Sequence, residues 1–333
     1  MSFRPWGGFR LAGLLILFAG SLVAGVLLGP AGLDPAEVLR ALRPDAEPSV
    51  ARTIVLSVRL PRVVAAALVG GSLAVSGALL QALLRNPLAE PYLLGVSSGA
   101  AFGVVAVLTF GALAFTPLAL PLAALLGALL AIAIVFQAAR VVNRLDTRIL
   151  ILAGVVVGAF FSACVMLLLS FAEATTLRSA IFWTMGSLSQ VAWPGVAILA
   201  AYALPACGVA FLIGRHLNTL SLGEETAAYL GTEVERVKRL AYFLASFLAA
   251  ATVSLAGVIG FVGLVVPHSV RLLWGSDHRR LIPLSLVAGA TFLVVADTAA
   301  RTLARPREIP VGVITALVGV PLFLILLRRK WGR

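Results

Sequence analysis

The sequence has few charged residues and few cysteines, and each shortage excludes a class of protein. Only 12% of its 333 residues are charged and 61% are hydrophobic, whereas soluble domains have about 25% charged residues. A soluble fold of this size would leave large apolar patches in water, which excludes a soluble enzyme. Cys164 and Cys207 lie in apolar runs. Two such residues are too few for a disulfide framework or a cysteine metal site.

Sequence motifs for catalysis and nucleotide binding are also missing. Neither of the two lysines, Lys238 and Lys330, follows a glycine, so the chain has no Walker A motif. The three histidines are scattered, and no metal-binding motif appears. Paired carboxylates in mid-membrane, which ion-coupled carriers use, are absent, and Asp297 is the one acid in an apolar neighbourhood. We therefore expect no catalytic residue, no bound metal and no cofactor.

What the sequence has instead is a series of apolar segments without charge. A helix needs about 20 such residues to cross a bilayer. Ten spans fit the sequence if the runs 91–139 and 240–270 hold two each, the former with a break near Thr116–Pro117. The run 11–33 resembles a signal peptide only in part and lacks a cleavage site, so we interpret it as the first span. The sequence predicts an all-α, polytopic membrane protein with about ten transmembrane helices in one domain, residues 1–333.

The distribution of basic residues predicts the orientation of these spans. The net charge is +12, and most of the arginines fall in loops that a cytoplasmic N-terminus would place inside. Cytoplasmic loops of membrane proteins carry such an excess. The bias predicts that both termini are cytoplasmic, and it accounts for the basic composition without a nucleic-acid partner.

The sequence also predicts an inverted internal repeat. A shift of 180 residues would separate the two copies by five spans, so that the second copy runs in the opposite direction through the membrane. Transporters are commonly built this way. The halves would be roughly 59–150 and 239–330, and a chance alignment of two glycine-rich helices is the alternative. The matches that support the shift are Gly77 with Gly257, Pro87 with Pro267, and Gly95 with Gly275.

Two features mark the outer side of the membrane. Arg59 and Arg62 stand at the start of the second span, where Pro61 suits a first helical turn. We expect their cations to face the extracytoplasmic side, either for a negatively charged partner or as ordinary interfacial snorkelling. Asp34 and Glu37 form a capping box, which predicts a short surface helix.

The cytoplasmic loop 218–238 is predicted to carry a short, rigid helix. Ser221 with Glu224 and Thr232 with Glu235 have the spacing of two capping boxes. Gly231 suits the position just after a helix end. Two caps around a helix over 222–230 favour a docking element, and a solvated connector is the alternative. The helix would offer Leu222, Ala227 and Leu230 beside Glu224 and Glu225.

Several strings in the sequence form a recognisable set: RLPR (59–62), NPLAEP (86–91), LGVSSGA (94–100), LGEETAAYLG (222–231), GFVGLVVPHSVR (260–271) and EIPVG (308–312). They resemble strings of the FecCD family, whose members are permease subunits of binding-protein-dependent ABC importers for ferric siderophores, haem and vitamin B12. The likeness runs from about residue 55 to the C-terminus. It implies a type II importer permease that forms a homodimer around the translocation path. It also implies two copies of a separate cytoplasmic ATPase and a periplasmic or lipid-anchored substrate-binding protein.

The resemblance also implies roles for individual residues. The segment 222–231 resembles the coupling helix that contacts the ATPase, which assigns this role to Leu222, Gly223, Glu224, Glu225, Ala227, Leu230 and Gly231. Arg59, Arg62 and Arg301 match positions that pair with acidic residues of the binding protein. Asn86, Leu88, Asp146 and Thr147 match the cytoplasmic gate. The chain departs from the family at Asp146, where members often carry a small hydroxyl residue.

Taken together, these features predict a permease without chemistry of its own in the bacterial cytoplasmic membrane. An ion-gradient-coupled secondary transporter is the alternative function, and a membrane assembly subunit without transport is a weaker one. Nothing in the sequence decides which chelate is carried.

Overall fold

The computed structural model describes residues 6–111, 118–141 and 144–331. Helices make up most of this part of the chain, and its one sheet is a ladder of two short antiparallel strands, β1 (Arg140–Val141) and β2 (Arg144–Leu145). The helices are α1 (Trp6–Leu27), α2 (Pro35–Ala41), α3 (Val50–Thr53), α4 (Leu60–Leu83), α5 (Val96–Phe110), α6 (Ala119–Ala139), α7 (Thr147–Ser170), α8 (Ala174–Thr184), α9 (Trp193–Leu212), α10 (Gly214–Leu220), α11 (Glu224–Tyr229), α12 (Val234–Ala256), α13 (Val262–Trp274), α14 (His278–Thr302) and α15 (Val311–Trp331).

Ten helices of the described residues coincide with the ten apolar segments that the sequence predicts as spans. Within the described residues, seven helical segments are long and apolar enough to cross a membrane, and α5, α13 and α15 supply three shorter apolar helices. The all-α, polytopic fold class is therefore confirmed. The predicted break near Thr116–Pro117 lies outside the described residues.

The second span begins earlier than the sequence indicates. A π-helical segment, Ile54–Arg59, joins α3 to α4, so that one continuous helix runs from Val50 to Leu83. Pro61 is thus inside a helix and not at its start. The wider π turn before it changes the backbone spacing where a proline ring would otherwise clash with the preceding turn.

Helix α4 is the central helix of the bundle and packs against α12, α13 and α14. Nearly all of its side chains from Pro61 to Leu83 are buried. Glycines permit the close approach, because a Cβ atom at Gly70 would overlap the carbonyl oxygen of Gly289, and one at Gly77 would overlap that of Gly263. Small residues play this part generally where helices meet in a membrane.

The helix contacts have an internal symmetry. Helix α4 packs on α14 and α13, and α12 packs on α6 and α5. Helix α5 contacts α6 and α7, as α13 contacts α14 and α15, and α6 contacts α7 as α14 contacts α15. Each contact thus has a counterpart when α4–α7 is exchanged with α12–α15. We propose these two groups of four helices as the repeat units, which extends the first unit beyond the predicted end at residue 150.

The fixed shift of 180 residues does not hold. Gly77 lies inside α4, whereas Gly257 follows the end of α12. Gly95 precedes α5, whereas Gly275 follows α13. Pro87 lies in a loop, whereas Pro267 lies inside α13. The connection after α4 is longer than the one after α12, and a constant offset cannot accommodate that difference.

Candidate functional site

Helix α11 lies within the predicted coupling loop, but it is held by different contacts than the sequence predicts. Both predicted capping boxes are wrong. The Ser221 hydroxyl donates to the carbonyl oxygen of Leu217 at 2.8 Å, and the Thr232 hydroxyl pairs with that of Thr219 at 2.8 Å. The helix instead begins after Gly223 (φ 119°) and ends before Gly231 (φ 79°). Backbone angles of this kind favour glycine, so these two residues set the bounds of the helix.

The exposed surface on and beside α11 differs from the predicted one at Ala227 and Tyr229. Leu222 and Leu230 are 64% and 60% exposed, as a docking element requires. Ala227 is fully buried, so its predicted contact with a partner protein is wrong. Tyr229 is 92% exposed and was missed, although an aromatic side chain within a short polar loop is the signal that would have identified it.

A buried lysine connects α11 to the start of α12. The ammonium group of Lys238 lies 3.1 Å from a Glu224 carboxylate oxygen and 3.0 Å from one of Glu235. Its side chain is only 3% exposed. The second carboxylate oxygen of Glu235 accepts a hydrogen bond from the backbone N–H of Leu145 at 2.8 Å. Glu224 is thus turned inward, while Glu225 is exposed.

The predicted gate residues lie in two loops at helix ends. Asn86 follows α4, and its side-chain oxygen accepts from the backbone N–H of Leu88 at 2.9 Å, a local turn that leaves Leu88 38% exposed. Asp146 caps α7, which begins at Thr147. The alternation of the spans puts the end of α4, the start of α7 and helix α11 on the same side of the bundle.

Asp146 performs a structural task that a small hydroxyl residue can also perform. Its carboxylate accepts from the backbone N–H groups of Arg148 at 2.8 Å and Ile149 at 3.2 Å. These hydrogen bonds from Ile149 and Arg148 hold the pKa of Asp146 below its usual value. Serine, threonine and aspartate are all good residues at this helix position. The departure from the family at Asp146 therefore preserves the helix cap.

Glu90, in the same loop as Asn86 and Leu88, supports the start of α13. Its carboxylate accepts from the backbone N–H of Phe261 at 2.9 Å, and Phe261 has a positive φ of 68°. Burial raises the pKa of Glu90, and the hydrogen bond from Phe261 opposes that shift. A non-glycine residue in this conformation persists only where its surroundings hold it.

The three arginines assigned to binding-protein docking are buried at the outer end of the bundle. Arg62 pairs with Asp297 at 3.0 Å and with Glu308 at 2.8 Å. Arg301 lies 3.1 Å from Asp297 and donates to the carbonyl oxygen of Gly25 at 2.7 Å.

Arg59 lies beside this cluster and donates to the backbone oxygens of Leu27 and Ala31, both at 2.7 Å. Arg59, Arg62 and Arg301 are at most 5% exposed. The expectation that the cations of Arg59 and Arg62 face the outer surface is therefore wrong, because carboxylates and carbonyl groups inside the bundle already receive their hydrogen bonds.

Other arginines carry the exposed positive charge near this buried cluster. Arg305 and Arg307 follow α14 and are both exposed. Arg305 is close enough to Arg59 for the two cations to repel each other. The outer surface above the buried cluster therefore carries two exposed arginines, beside the partly exposed Glu308. The short outer helix α2 has the predicted capping box, in which the Asp34 side chain accepts from the backbone and Glu37 reaches back to it.

A groove with several hydroxyl groups opens on one side of the bundle. It has a volume of about 400 Å³ and lies between α5, α7 and α8. The Ser162 hydroxyl lies 3.3 Å from that of Ser98 across it. The polar residues of the groove are Ser97, Ser98, Ser162 and Thr184. Among the described residues, no three histidine, cysteine, aspartate or glutamate side chains lie together as metal ligands would.

Residues 14–329 match the FecCD transport family. The chain is 40% identical over 332 residues to the hemin transport system permease protein HmuU of Yersinia pestis. This alignment covers 97% of this chain and 95% of that protein. It is 39% identical over 330 residues to the vitamin B12 import system permease protein BtuC of Klebsiella pneumoniae, and this second alignment covers 99% of this chain and 95% of that protein.

A solved structure of an inward-facing, metal-chelate type ABC transporter has the same fold. The TM-score is 0.84 at 33% identity, with 97% of this chain and 99% of that chain covered. The long apolar helices, the packing around α4 and these similarities lead to one assignment. The chain belongs to the FecCD transport family and is a multi-pass membrane permease of the ABC transporter class.

Proposed function

We propose that this permease imports a metal chelate, namely a ferric siderophore, haem or cobalamin, across the cytoplasmic membrane, with both termini in the cytoplasm. Two copies form a homodimer around the translocation path. Two copies of a separate cytoplasmic ATPase supply the energy, and a periplasmic or lipid-anchored binding protein delivers the cargo. Relatives named for hemin and vitamin B12 support this range of cargo.

The observation that carries the proposal is the exposed apolar surface on and beside α11. Tyr229 is the last residue of this six-residue helix, and the exposed residues Leu222 and Leu230 flank the helix on either side. Burial of large apolar side chains of this kind stabilises protein interfaces, and exposed clusters of them mark binding sites. Helix α11 lies on the same side of the bundle as the loops of Asn86, Leu88, Asp146 and Thr147. We propose α11 as the contact with the ATPase and these loops as the cytoplasmic gate.

The groove between α5, α7 and α8, which has hydroxyl groups among mostly apolar residues, supports a path at an interface between two copies. Polar side chains at membrane depth generally face a water-filled cavity or another protein segment and not lipid. The groove opens on the side of the bundle between α5, α7 and α8, and its lining includes Ser97, Ser98 and Ser162. A second copy packed against α7 and α8 would enclose these hydroxyl groups in a shared passage.

On the outer side, the exposed arginines Arg305 and Arg307 support the docking of an acidic binding protein. We propose that these exposed residues make the first contact. Arg59, Arg62 and Arg301 contribute beneath them, because their buried ion pairs fix the shape of the surface.

The test is reconstitution in proteoliposomes of the permease, its ATPase and its binding protein, with each of the three chelates as cargo. We expect uptake that requires ATP and persists without an ion gradient. Tyr229→Asp should abolish copurification of the ATPase, since a charge would be buried in an apolar contact. Leu303→Asp, at an exposed leucine on the outer side, is the matched control and should leave ATPase binding unchanged.

Two results would contradict the proposal. Uptake that follows an ion gradient and ignores ATP would identify a secondary transporter. ATP-stimulated complex formation without uptake of any chelate would favour an assembly subunit.

A further inference from the structure

We propose that Lys238 is a transmission residue, which ties the coupling helix α11 to the β1/β2 ladder and thereby to the start of α7. This inference rests on the proposed function, because α11 is taken as the contact with the ATPase. It adds a residue that links the ATPase contact to the gate.

The contacts of Lys238 form an unbroken connection between these elements. Its ammonium group binds Glu224 of α11 at 3.1 Å and Glu235 of α12 at 3.0 Å. Glu235 in turn accepts from the backbone N–H of Leu145 at 2.8 Å. Leu145 belongs to β2 and is followed directly by Asp146 and Thr147. Three hydrogen bonds therefore separate the ATPase-facing helix from two gate residues.

The type of residue suits this role. Lysine presents a compact charge with three donors, so one ammonium group can hold carboxylates from two different helices, whereas arginine has a planar, fixed arrangement of donors. Of the 26 lysine and arginine residues in the sequence, two are lysines. The use of lysine at this buried junction thus departs from the cationic residue that the chain uses almost everywhere else.

Burial makes the connection stiff. Lys238 is 3% exposed and Leu145 is 2% exposed. Glu224 and Glu235 are more exposed, at 38% and 25%. If α11 moved away, the buried ammonium group would lose one of its two carboxylates, which is unfavourable, so the ion pair resists separation of α11 from α12. Coupling between sites requires such an element, one whose position both sites influence.

The first test compares Lys238→Met with Arg236→Met in the reconstituted complex. Arg236 is two residues away on the same helix, and its ion pair with Glu233 is largely exposed, at 79% and 73%. We expect Lys238→Met to retain ATPase binding and hydrolysis while uptake per ATP falls by about tenfold, within the range of measured couplings between sites. Arg236→Met should match the parent in all three measurements.

Rescue distinguishes transmission from a merely structural role. The rescue is made in a Glu235→Gln background, because Lys238→Glu alone would place two carboxylates against each other. Adding Glu224→Lys to Lys238→Glu in that background re-forms the ion pair between α11 and α12 with its charges exchanged, and we expect uptake per ATP to rise above that of Lys238→Glu with Glu235→Gln. Glu235→Gln keeps an oxygen that can accept from Leu145 but removes the charge facing Lys238. It should therefore lower uptake per ATP even if Lys238→Met fails to fold.

The second test needs no cargo and so remains decisive if the proposed substrates are wrong. Spin labels at Thr226→Cys on α11 and Arg144→Cys on β2, with Cys164 and Cys207 replaced by alanine, report the distance between the two elements. We expect one narrow distribution that stays the same with and without nucleotide, and a broadened one in Lys238→Met.

Three results would overturn the inference. They are an unchanged uptake per ATP in the Lys238 and Glu235 variants, a loss of ATPase binding in Lys238→Met, and a label distribution that is as narrow in Lys238→Met as in the parent.

Discussion

Single carboxylates decide how the buried arginines of this protein are accommodated. Asp297 is 1% exposed and contacts both Arg62 and Arg301, while Glu308 contacts only Arg62. Arg59 has no carboxylate partner among these contacts and relies on backbone oxygens. The cluster is therefore balanced mainly by one residue.

We predict that Asp297→Asn lowers the free energy of unfolding by about 3–5 kcal/mol, the usual effect of removing one partner from a buried ion pair. Thermal unfolding in detergent, followed by light scattering and intrinsic fluorescence, measures the change. Glu233→Gln is the control, because its pair with Arg236 is exposed and should contribute less than about 1 kcal/mol. Equal stability of the two variants would contradict this account of the cluster.

At the scale of helices, close backbone contact organises the bundle. The contacts of Gly70 with Gly289 and of Gly77 with Gly263 bring α4 against α14 and α13. A Cβ atom at Gly77 would overlap a backbone oxygen, which cannot move aside as a flexible side chain can. Glycine is thus required here by packing and not by an unusual backbone angle.

We predict that Gly77→Ala destabilises the fold by about 1–3 kcal/mol or more, the range for overpacking, and reduces the yield of monodisperse protein. Gly13→Ala is the matched control, because an added Cβ at Gly13 meets nothing within 4 Å. Alanine favours helix by up to about 1 kcal/mol over glycine, so this control should be neutral or slightly stabilising. Size-exclusion chromatography measures the yield of monodisperse protein, and thermal unfolding measures the stability. If Gly77→Ala and Gly13→Ala behaved alike in both, the α4–α13 contact would tolerate an added Cβ atom and the prediction would be wrong.

Of the three capping boxes predicted from sequence spacing, one forms and two do not. The box of Asp34 and Glu37 forms as predicted, and both side chains accept from backbone N–H groups at the start of α2. The boxes of Ser221 and Thr232 do not form, since Leu217 and Thr219 of α10 engage these hydroxyl groups instead. Spacing alone does not reveal such competition from a neighbouring helix.

For the whole molecule, the arginines at the outer end of the bundle fall into a buried group and an exposed group. The arginines that resemble docking positions are inside the bundle, and Arg305 and Arg307 are outside it. Reversing the charge of Arg62 would therefore disturb folding before it reported on docking.

We predict that the double variant Arg305→Glu, Arg307→Glu weakens binding of the binding protein by about tenfold, mainly through slower and less salt-sensitive association, as rim charges act. Surface-immobilised nanodiscs with soluble binding protein measure this. Arg236→Glu, an exposed arginine on the opposite side, should have no effect on that affinity. An unchanged affinity in the double variant would remove these residues from the docking surface.

The sequence by itself determined the properties that depend on neighbouring residues. Ten apolar segments predict ten membrane helices, and Gly231 predicts the end of α11, because hydrophobic run length and backbone angle are local. Only the tertiary structure decided that Arg62 pairs with Asp297, 235 residues away, that Ala227 is buried, and that Lys238 joins α11 to β2. These contacts depend on how helices distant in the chain pack together, and for that packing helical periodicity contains no information.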